Sequence, residues 1–364
     1  MSLQNQIKAW AILLAAGILA LWVFRGILLP FIAGMGLAYV LDPIADWLER
    51  HRFSRFWATS TIMITAVVVF VAAFVLIVPL LLQQVIGLIE RLPGYATELQ
   101  GLVNQWAPEF AKWLGEERMV QFQNALGNIL SQGVGIVGGL TAQIMQSGLT
   151  IINALGLLII TPVVAFYLLL DWDRMVANVD GLLPRSYVGD IREVLRDIDR
   201  AMAGVIRGQG GVVLLLALFY ATGLTLTGLS FGLAIGLAAG LLSFIPYVGF
   251  LFGFVLSMGV AVVQFWPDWI MVFAVFAVFI VGQFLEGNVL YPKLVGGSIG
   301  VHPVWLMFAL FAFGLLFGTV GLLLAVPLAA MTAVLVRFSV RKYKLSSLYL
   351  GDGKGEDSDA GVAQ

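Results

Sequence analysis

Long apolar runs dominate the sequence and constrain its fold more than any other feature. They cover residues 7–24, 27–41, 57–82, 149–170, 207–228, 231–264, 268–287 and 303–336. A helix needs roughly 20 apolar residues to cross the hydrocarbon core of a bilayer. The runs are rich in Leu, Ala and Gly, and they lack the short alternating segments of an outer-membrane barrel.

The composition supports the same class. Hydrophobic residues make up 60% of the 364 residues and charged residues only 11%, whereas soluble domains are about 45–50% apolar and about 25% charged. A bilayer accepts such a surface and water does not. We therefore predict an all-α polytopic membrane protein with about eight transmembrane helices, the first of them an uncleaved span.

Basic residues predict the orientation. Most of the 20 Lys and Arg residues fall near the N-terminus, in the loops 42–56 and 171–206, and after residue 336. Because cytoplasmic loops carry an excess of Lys and Arg, both termini are expected in the cytoplasm. Arg25, in the first hairpin, is interpreted as a snorkelling interface residue, with a functional charge as the alternative.

The run 231–264 is too long for one upright span and short for two. Three other spans separate the cytoplasmic loop 171–206 from the basic tail, so parity predicts that this run crosses once. Pro246 lacks a backbone N–H, which predicts a break in the helix. A broken helix can form an ion or substrate site at membrane depth, and a simple kink is the alternative. The candidate residues are Ser243, Pro246, Tyr247 and Gly249.

Two connecting segments, 83–148 and 173–206, have the periodicity of amphipathic helices, and they are predicted to lie on the membrane surface or pack on the bundle. The predicted divisions are 1–82 (three transmembrane helices), 83–148 (extracytoplasmic amphipathic segment), 149–172 (fourth transmembrane helix), 173–206 (cytoplasmic amphipathic segment), 207–340 (C-terminal transmembrane bundle) and 341–364 (cytoplasmic tail, disordered at its end).

Residue counts and motifs argue against catalysis and cofactors. The chain has no Cys and only two His, so thiolate or histidine metal sites are not expected. The net charge of −1 gives no reason to expect nucleic acid. Segment 133–138 fits G-x-G-x-x-G and segment 296–300 fits G-x-S-x-G, but neither has the strand context that the motif requires. We expect no enzyme activity, no catalytic residue and no cofactor, and any coupling would be to a proton or sodium gradient.

Small residues recur at four-residue spacing in the apolar runs. Gly232, Gly236 and Gly240 form one such stripe, and Gly249/Gly253 and Gly314/Gly318 repeat the spacing. Such stripes let helices approach closely. Plain helix packing is the first interpretation and a sliding or pore-lining face is the second. Such helices also predict a homo-oligomer.

Polar residues near the end of the seventh run are the leading functional candidates. Glu286 follows some fifteen apolar residues, and a charge at membrane depth usually faces protein or water and has a function. It is expected near the outer end of its span, as a gate or ion site. The alternative is a residue at the lipid headgroups, paired with Lys293. Gln283, Asn288 and Pro292 complete this predicted pathway segment.

Three further polar residues are candidates for other roles. Arg207 and Gln209 begin the fifth run from the cytoplasmic side, as an anchor or as a polar site. Asp42, beside Pro43, is interpreted as a turn or capping residue.

Several stretches together resemble the autoinducer-2 exporter family of bacterial membrane proteins. They are "PFIAGMGLAYVLDPIADWLER", "RGQ", "SFIPYVG", "EGNVLYPKLVGGSIGVHP" and "GTVGLLLAVPLAA". The resemblance implies a permease of the bacterial inner membrane. Described members include an exporter of a quorum-sensing signal and proteins assigned as sodium or lithium/proton antiporters, so membership does not fix the substrate.

These observations predict a secondary permease or exporter for a small polar solute, with the lipid bilayer as its surroundings. A sodium or lithium/proton antiporter is the alternative, with a monovalent cation as its substrate. A non-transporting membrane scaffold is the alternative from another class, and a passive channel is also possible.

Overall fold

The computed structural model describes residues 12, 16–17, 23–24, 27–146, 148–295 and 302–350. The first apolar run lies almost wholly outside these residues. The described residues also exclude Arg25, the G-x-S-x-G segment 296–300 and the end of the tail. Across the described ranges the chain is helical and has no strand, which confirms the predicted all-α class.

The helices follow the apolar runs. They are α1 (Leu28–Arg50), α2 (Arg55–Leu114), α3 (Glu116–Gln146), α4 (Gly148–Gly181), α5 (Val188–Leu226), α6 (Gly232–Leu242), α7 (Val248–Phe265), α8 (Trp269–Leu285), a π-helix (Glu286–Val295), α9 (Pro303–Lys344) and α10 (Ser347–Leu350). Within the described part, seven helices are long and apolar enough to cross a membrane.

Contacts divide the chain into two compact units. Unit 1 comprises Met1–Trp47, Val164–Gln209 and Pro292–Gln364. Unit 2 comprises Leu48–Val163 and Gly210–Tyr291.

In unit 2, α2 is a single helix of 60 residues, about 90 Å long. It therefore continues the third apolar run well into the segment 83–148 without a break. After Gly115, whose positive φ of 87° suits a glycine, α3 folds back along α2. The amide of Gln123 donates to Asn104 Oδ1 at 2.9 Å across this pair. The G-x-G-x-x-G segment 133–138 lies inside α3, so it forms helix and no phosphate-binding loop.

Helices α6 and α7 of unit 2 form a hairpin whose two ends lie together. The side chain of Gln264, at the end of α7, donates to Gly228 O at 2.8 Å and accepts from Ser230 N at 2.7 Å. The run 231–264 is broken near Pro246, as predicted, because α6 ends at Leu242 and α7 begins at Val248. The parity argument was wrong, since a run that returns to its starting point does not cross.

The first glycine stripe lets α6 lie against the backbone of α5. A Cβ on Gly240 would collide with Ala217, one on Gly236 with Ala221, and one on Gly232 with the backbone of Leu224. The order of these contacts shows that α6 runs antiparallel to α5. This stripe is therefore a packing surface.

In unit 1, α9 also folds back on itself. Gly318 has φ 63° and ψ −139°, outside the helical region, and it separates two helical halves. The halves touch just beyond this turn, where a Cβ on Gly321 would collide with Phe313 O. Leu306, near the start of α9, packs against a buried cluster. That cluster consists of Ala201, Val205, Val326, Ala330 and Val334.

Candidate functional site

Glu286 lies beside the middle of the apolar part of α5. A Cβ on Gly223 would meet Val278, and one on Gly282 would collide with the Tyr220 ring, so α8 runs antiparallel to α5. One turn beyond Gly282, Glu286 therefore falls at about the level of Leu216. Leu216 is near the midpoint of the run 207–228, whereas the sequence predicted that Glu286 lies near the outer end of its span.

The helix changes type at Glu286. It is the C-cap residue of α8 and the first residue of the π-helix, which ends at Val295 and contains Pro292. π-helical turns are rare and recur at functional sites because they widen the helix and alter its hydrogen bonding. The Glu286 side chain is half-buried. Within the part of the chain that the structure describes, no ion pair joins it to Lys293.

The other polar residues of this segment are more open. Gln283 and Asn288 are both exposed, and the amide of Asn288 donates to Phe284 O at 3.2 Å. Pro292 is also exposed. The structure thus does not gather Gln283 and Asn288 with Glu286 into one buried polar pocket.

A tyrosine hydroxyl faces this region from α5. Tyr220 is 1% exposed, and its hydroxyl has no hydrogen-bond partner among the described residues. The hydroxyl lies against Gly282, one helical turn before Glu286 on the same face of α8. The Tyr220 ring stacks on Phe279 at 5.0 Å between centroids. A carboxyl group and an unsatisfied hydroxyl are therefore held near each other in apolar surroundings.

The tip of the α6–α7 hairpin reaches the same level. Helix α7 runs antiparallel to α8, because Phe254 contacts Phe276 and Phe250 contacts Phe279. Extending this register places Tyr247 at about the level of Gln283, within one turn of Glu286, and Ser243 at about the level of Glu286. The Gly240–Ala217 contact on α5 gives the same depth for the tip.

The tip itself has an irregular backbone. Tyr247 has φ 69°, in the left-handed region, and is 57% exposed. Ser243 is buried and donates its hydroxyl to Gly240 O at 2.5 Å. A Cβ on Gly249 would collide with the backbone of Ser243, so glycine is needed where the chain reverses at Pro246. Unit 2 thus brings a helix break and the helix-to-π transition to one depth.

Arg207 and Gln209 lie in unit 1, on α5. Arg207 Nε donates to Tyr39 O at 2.6 Å, and its guanidinium lies 3.4 Å from Asp42. The Tyr39 hydroxyl donates to Asp199 Oδ1 at 2.9 Å. Gln209 is 1% exposed. Asp42 is therefore an ion-pair partner of Arg207, a role that its position beside Pro43 did not indicate.

A cavity of about 290 Å³ opens at this network. The Trp172 ring, 6.1 Å from the Tyr39 ring, forms part of its wall together with Asp42, Asp199 and Arg207. The cavity thus combines aromatic rings with groups of both charges. Sequence reasoning missed Tyr39, Trp172 and Asp199, because their grouping depends on the packing of separate helices.

The "RGQ" triplet also has a packing role. A Cβ on Gly208 would collide with Leu294 O and lie 2.8 Å from Val295 Cα. The backbones of α5 and the π-helix therefore meet at Gly208, and only a glycine permits this approach.

Sequence reasoning also missed Tyr220. A tyrosine within an apolar run was the available signal, but the sequence does not show whether its hydroxyl finds a partner.

Among the described residues, no group of three or more His, Asp or Glu side chains could hold a metal ion. His302 accepts from Val304 N at 3.3 Å as the N-cap of α9.

Comparison with known proteins gives the family. The sequence model of the AI-2E family transporters matches residues 11–341, nearly the whole chain. The chain belongs to the AI-2E transporter family. The earlier resemblance to autoinducer-2 exporters is thereby confirmed.

Relatives of similar length carry transport names. YrrI of Bacillus subtilis, described as a transport protein, is 31% identical over 320 residues, covering 86% of this chain and 87% of its own. PerM of Escherichia coli K12, described as a permease, is 27% identical over 332 residues, covering 90% and 92%. A transport protein of Synechocystis, sll0063, is 29% identical over 306 residues, covering 81% and 73%. The protein is a multi-pass membrane protein of a transporter family.

Proposed function

We propose that the protein is a secondary permease that exports a small polar solute, such as a quorum-sensing signal, and is not an enzyme. It resides in the bacterial inner membrane with both termini in the cytoplasm, as its basic residues favour. The observation that carries the proposal is the half-buried Glu286 carboxyl one turn beyond the contact of Gly282 with the Tyr220 hydroxyl, at the level of the α6–α7 tip.

Each part of this arrangement suits transport. A carboxyl group at membrane depth can bind a cation or exchange a proton, and it can donate or accept hydrogen bonds to a polar solute. The reversed backbone at Tyr247 presents main-chain groups within about one turn of that depth. A short hairpin that does not cross is an element that can move without dismantling the bundle.

A sodium or lithium/proton antiporter is the second candidate. Glu286 favours it, because one carboxylate can bind either a monovalent cation or a proton and thereby exchange them. The two candidates differ in whether an imposed sodium gradient moves protons in the absence of an organic solute.

The test uses purified protein in sealed vesicles with imposed proton and sodium gradients. Solute flux and internal pH are measured for the wild type, Glu286→Gln and the matched control Glu109→Gln, which alters an exposed glutamate of α2. We expect Glu286→Gln to lose most of the flux and its dependence on pH, because the amide cannot titrate. We expect Glu109→Gln to behave as the wild type. Wild-type flux and pH dependence in Glu286→Gln would contradict the assigned role.

A further inference from the structure

A second cavity of unit 1 has an apolar floor and a basic rim. It measures about 290 Å³ and lies between the early part of α5 and the late part of α9. Ala201, Val334 and Phe338 supply the floor, and both Ala201 and Val334 are buried. The rim carries three arginines and one acid: Arg200, Arg337, Arg341 and Asp197.

The basic groups of the rim are only partly neutralised. Arg200 pairs with Asp197 at 3.1 Å, and Arg341 pairs with Glu193 at 2.9 Å. Arg337 has no ion-pair or hydrogen-bond partner among the described residues. An anion in the cavity would therefore complete the charge balance of the rim.

The position of the cavity along its helices indicates which anion. Arg337 directly follows the exposed apolar residues Leu335 and Val336, which are 46% and 54% exposed. The cavity thus lies where the apolar surface of α9 ends and the basic surface begins. In a bilayer this is the depth of the lipid phosphates. A free phosphate ion would satisfy the arginines but would leave the apolar floor without a partner.

We propose that this cavity binds the phosphate group of an anionic phospholipid, with Arg337 as its main contact. The Arg337 guanidinium donates hydrogen bonds to the phosphate oxygens, as planar guanidinium groups commonly do. Arg200 and Arg341 add charge from the sides, and the first part of an acyl chain lies against the Phe338 ring at the apolar floor. A basic pocket between helices at the cytoplasmic face is a known kind of headgroup site.

Phe338 keeps the rim in place. The guanidinium carbon of Arg341 lies 5.5 Å from the centre of the Phe338 ring, and Lys342 Nζ lies 5.8 Å from it. Lys342 also pairs with Asp190 at 2.7 Å, which ties the ends of α5 and α9 together. Of the three rim arginines, Arg337 is thus the one without an ion pair in the described part of the chain.

The test measures lipid binding to the detergent-purified full chain by native mass spectrometry. Phosphatidylglycerol is titrated against phosphatidylcholine, for the wild type, Arg337→Gln and the control Arg174→Gln, whose guanidinium is exposed outside the cavity. We expect Arg337→Gln to weaken phosphatidylglycerol binding about fivefold, since one basic residue near a lipid surface contributes about that factor. Arg174→Gln should bind as the wild type does, and Arg337→Lys should retain most of the binding.

Other outcomes would overturn the proposal. If Arg337→Gln and Arg174→Gln weakened phosphatidylglycerol binding equally, the lipid would be attracted by the net charge of the protein and not by a specific site. Displacement of the lipid by millimolar inorganic phosphate would show a site for the free ion. Circular dichroism and a melting curve check that Arg337→Gln is folded. If Arg337→Gln does not fold, Arg337→Lys replaces it as the test variant, because it keeps the positive charge.

Discussion

The hydroxyl of Tyr220 is an unusual group in an apolar core. Most buried hydroxyls have a hydrogen-bond partner, and those without one often serve a function. Thr59 and Ser257 are also buried without a partner among the described residues. Tyr220 differs from both because it lies near a carboxyl group, Glu286. We interpret its hydroxyl as a group that forms a hydrogen bond with the transported species.

This interpretation predicts opposite effects on stability and transport. Tyr220→Phe removes a buried hydroxyl that has no partner among the described residues, so we expect the protein to become more stable by about 1–3 kcal/mol. Flux should fall, because the transported species loses a hydrogen bond. Thermal melting and vesicle flux measure the two effects, with the exposed Tyr167→Phe as the control. A less stable Tyr220→Phe with normal flux would show that the hydroxyl is structural.

At this scale the sequence indicated Glu286 as a candidate but could not show which residues of α5 lie at its level. Its position after an apolar run is visible in one dimension. Its depth depends on the register between α8 and α5, which is set by the contact of Gly282 with Tyr220. Likewise, the sequence indicated Arg207 as a candidate but could not show that Tyr39 and Asp42 are its partners.

At the scale of elements, two hairpins replace two expected crossings. Runs 231–264 and 303–336 are each 34 residues long, and each was counted as one span. The parity argument could not detect the error. Two runs that both return to their starting side leave the C-terminus on the same side of the membrane as two runs that both cross. The Gln264 hydrogen bonds and the turn at Gly318 decide the matter. The break at Pro246 could be predicted because proline acts locally, whereas Gly318 was assigned to a packing stripe.

The turn of α9 gives a prediction for this scale. At φ 63° and ψ −139°, Gly318 occupies a region that residues with a Cβ rarely adopt. We expect Gly318→Ala to lower the free energy of unfolding by about 1–3 kcal/mol. The control is Gly259→Ala in α7, where a Cβ would meet nothing within 4 Å and the backbone is helical. Equal melting temperatures for the two variants would contradict the turn at Gly318.

At the scale of the whole molecule, the composition was sufficient to predict a helical membrane protein, since no soluble fold exposes so much apolar surface.

The path of the chain through the membrane can be tested by cysteine labelling. The sequence has no Cys, so single cysteines can be labelled without background. We expect Ser230→Cys and Asp268→Cys, at the two ends of the α6–α7 hairpin, to react with an impermeant maleimide on intact cells.

Three positions in unit 1 should behave in the opposite way. Tyr187→Cys, His302→Cys and Ser346→Cys are expected to react only after the cells are permeabilised, because the basic residues favour the cytoplasm for these positions. His302 and Ser346 flank α9, so shared protection of the two requires that α9 returns to its starting side. Labelling of Ser230→Cys and Asp268→Cys from different sides would mean that 231–264 crosses, and Glu286 would then lie at a different depth from the one that carries the proposed function.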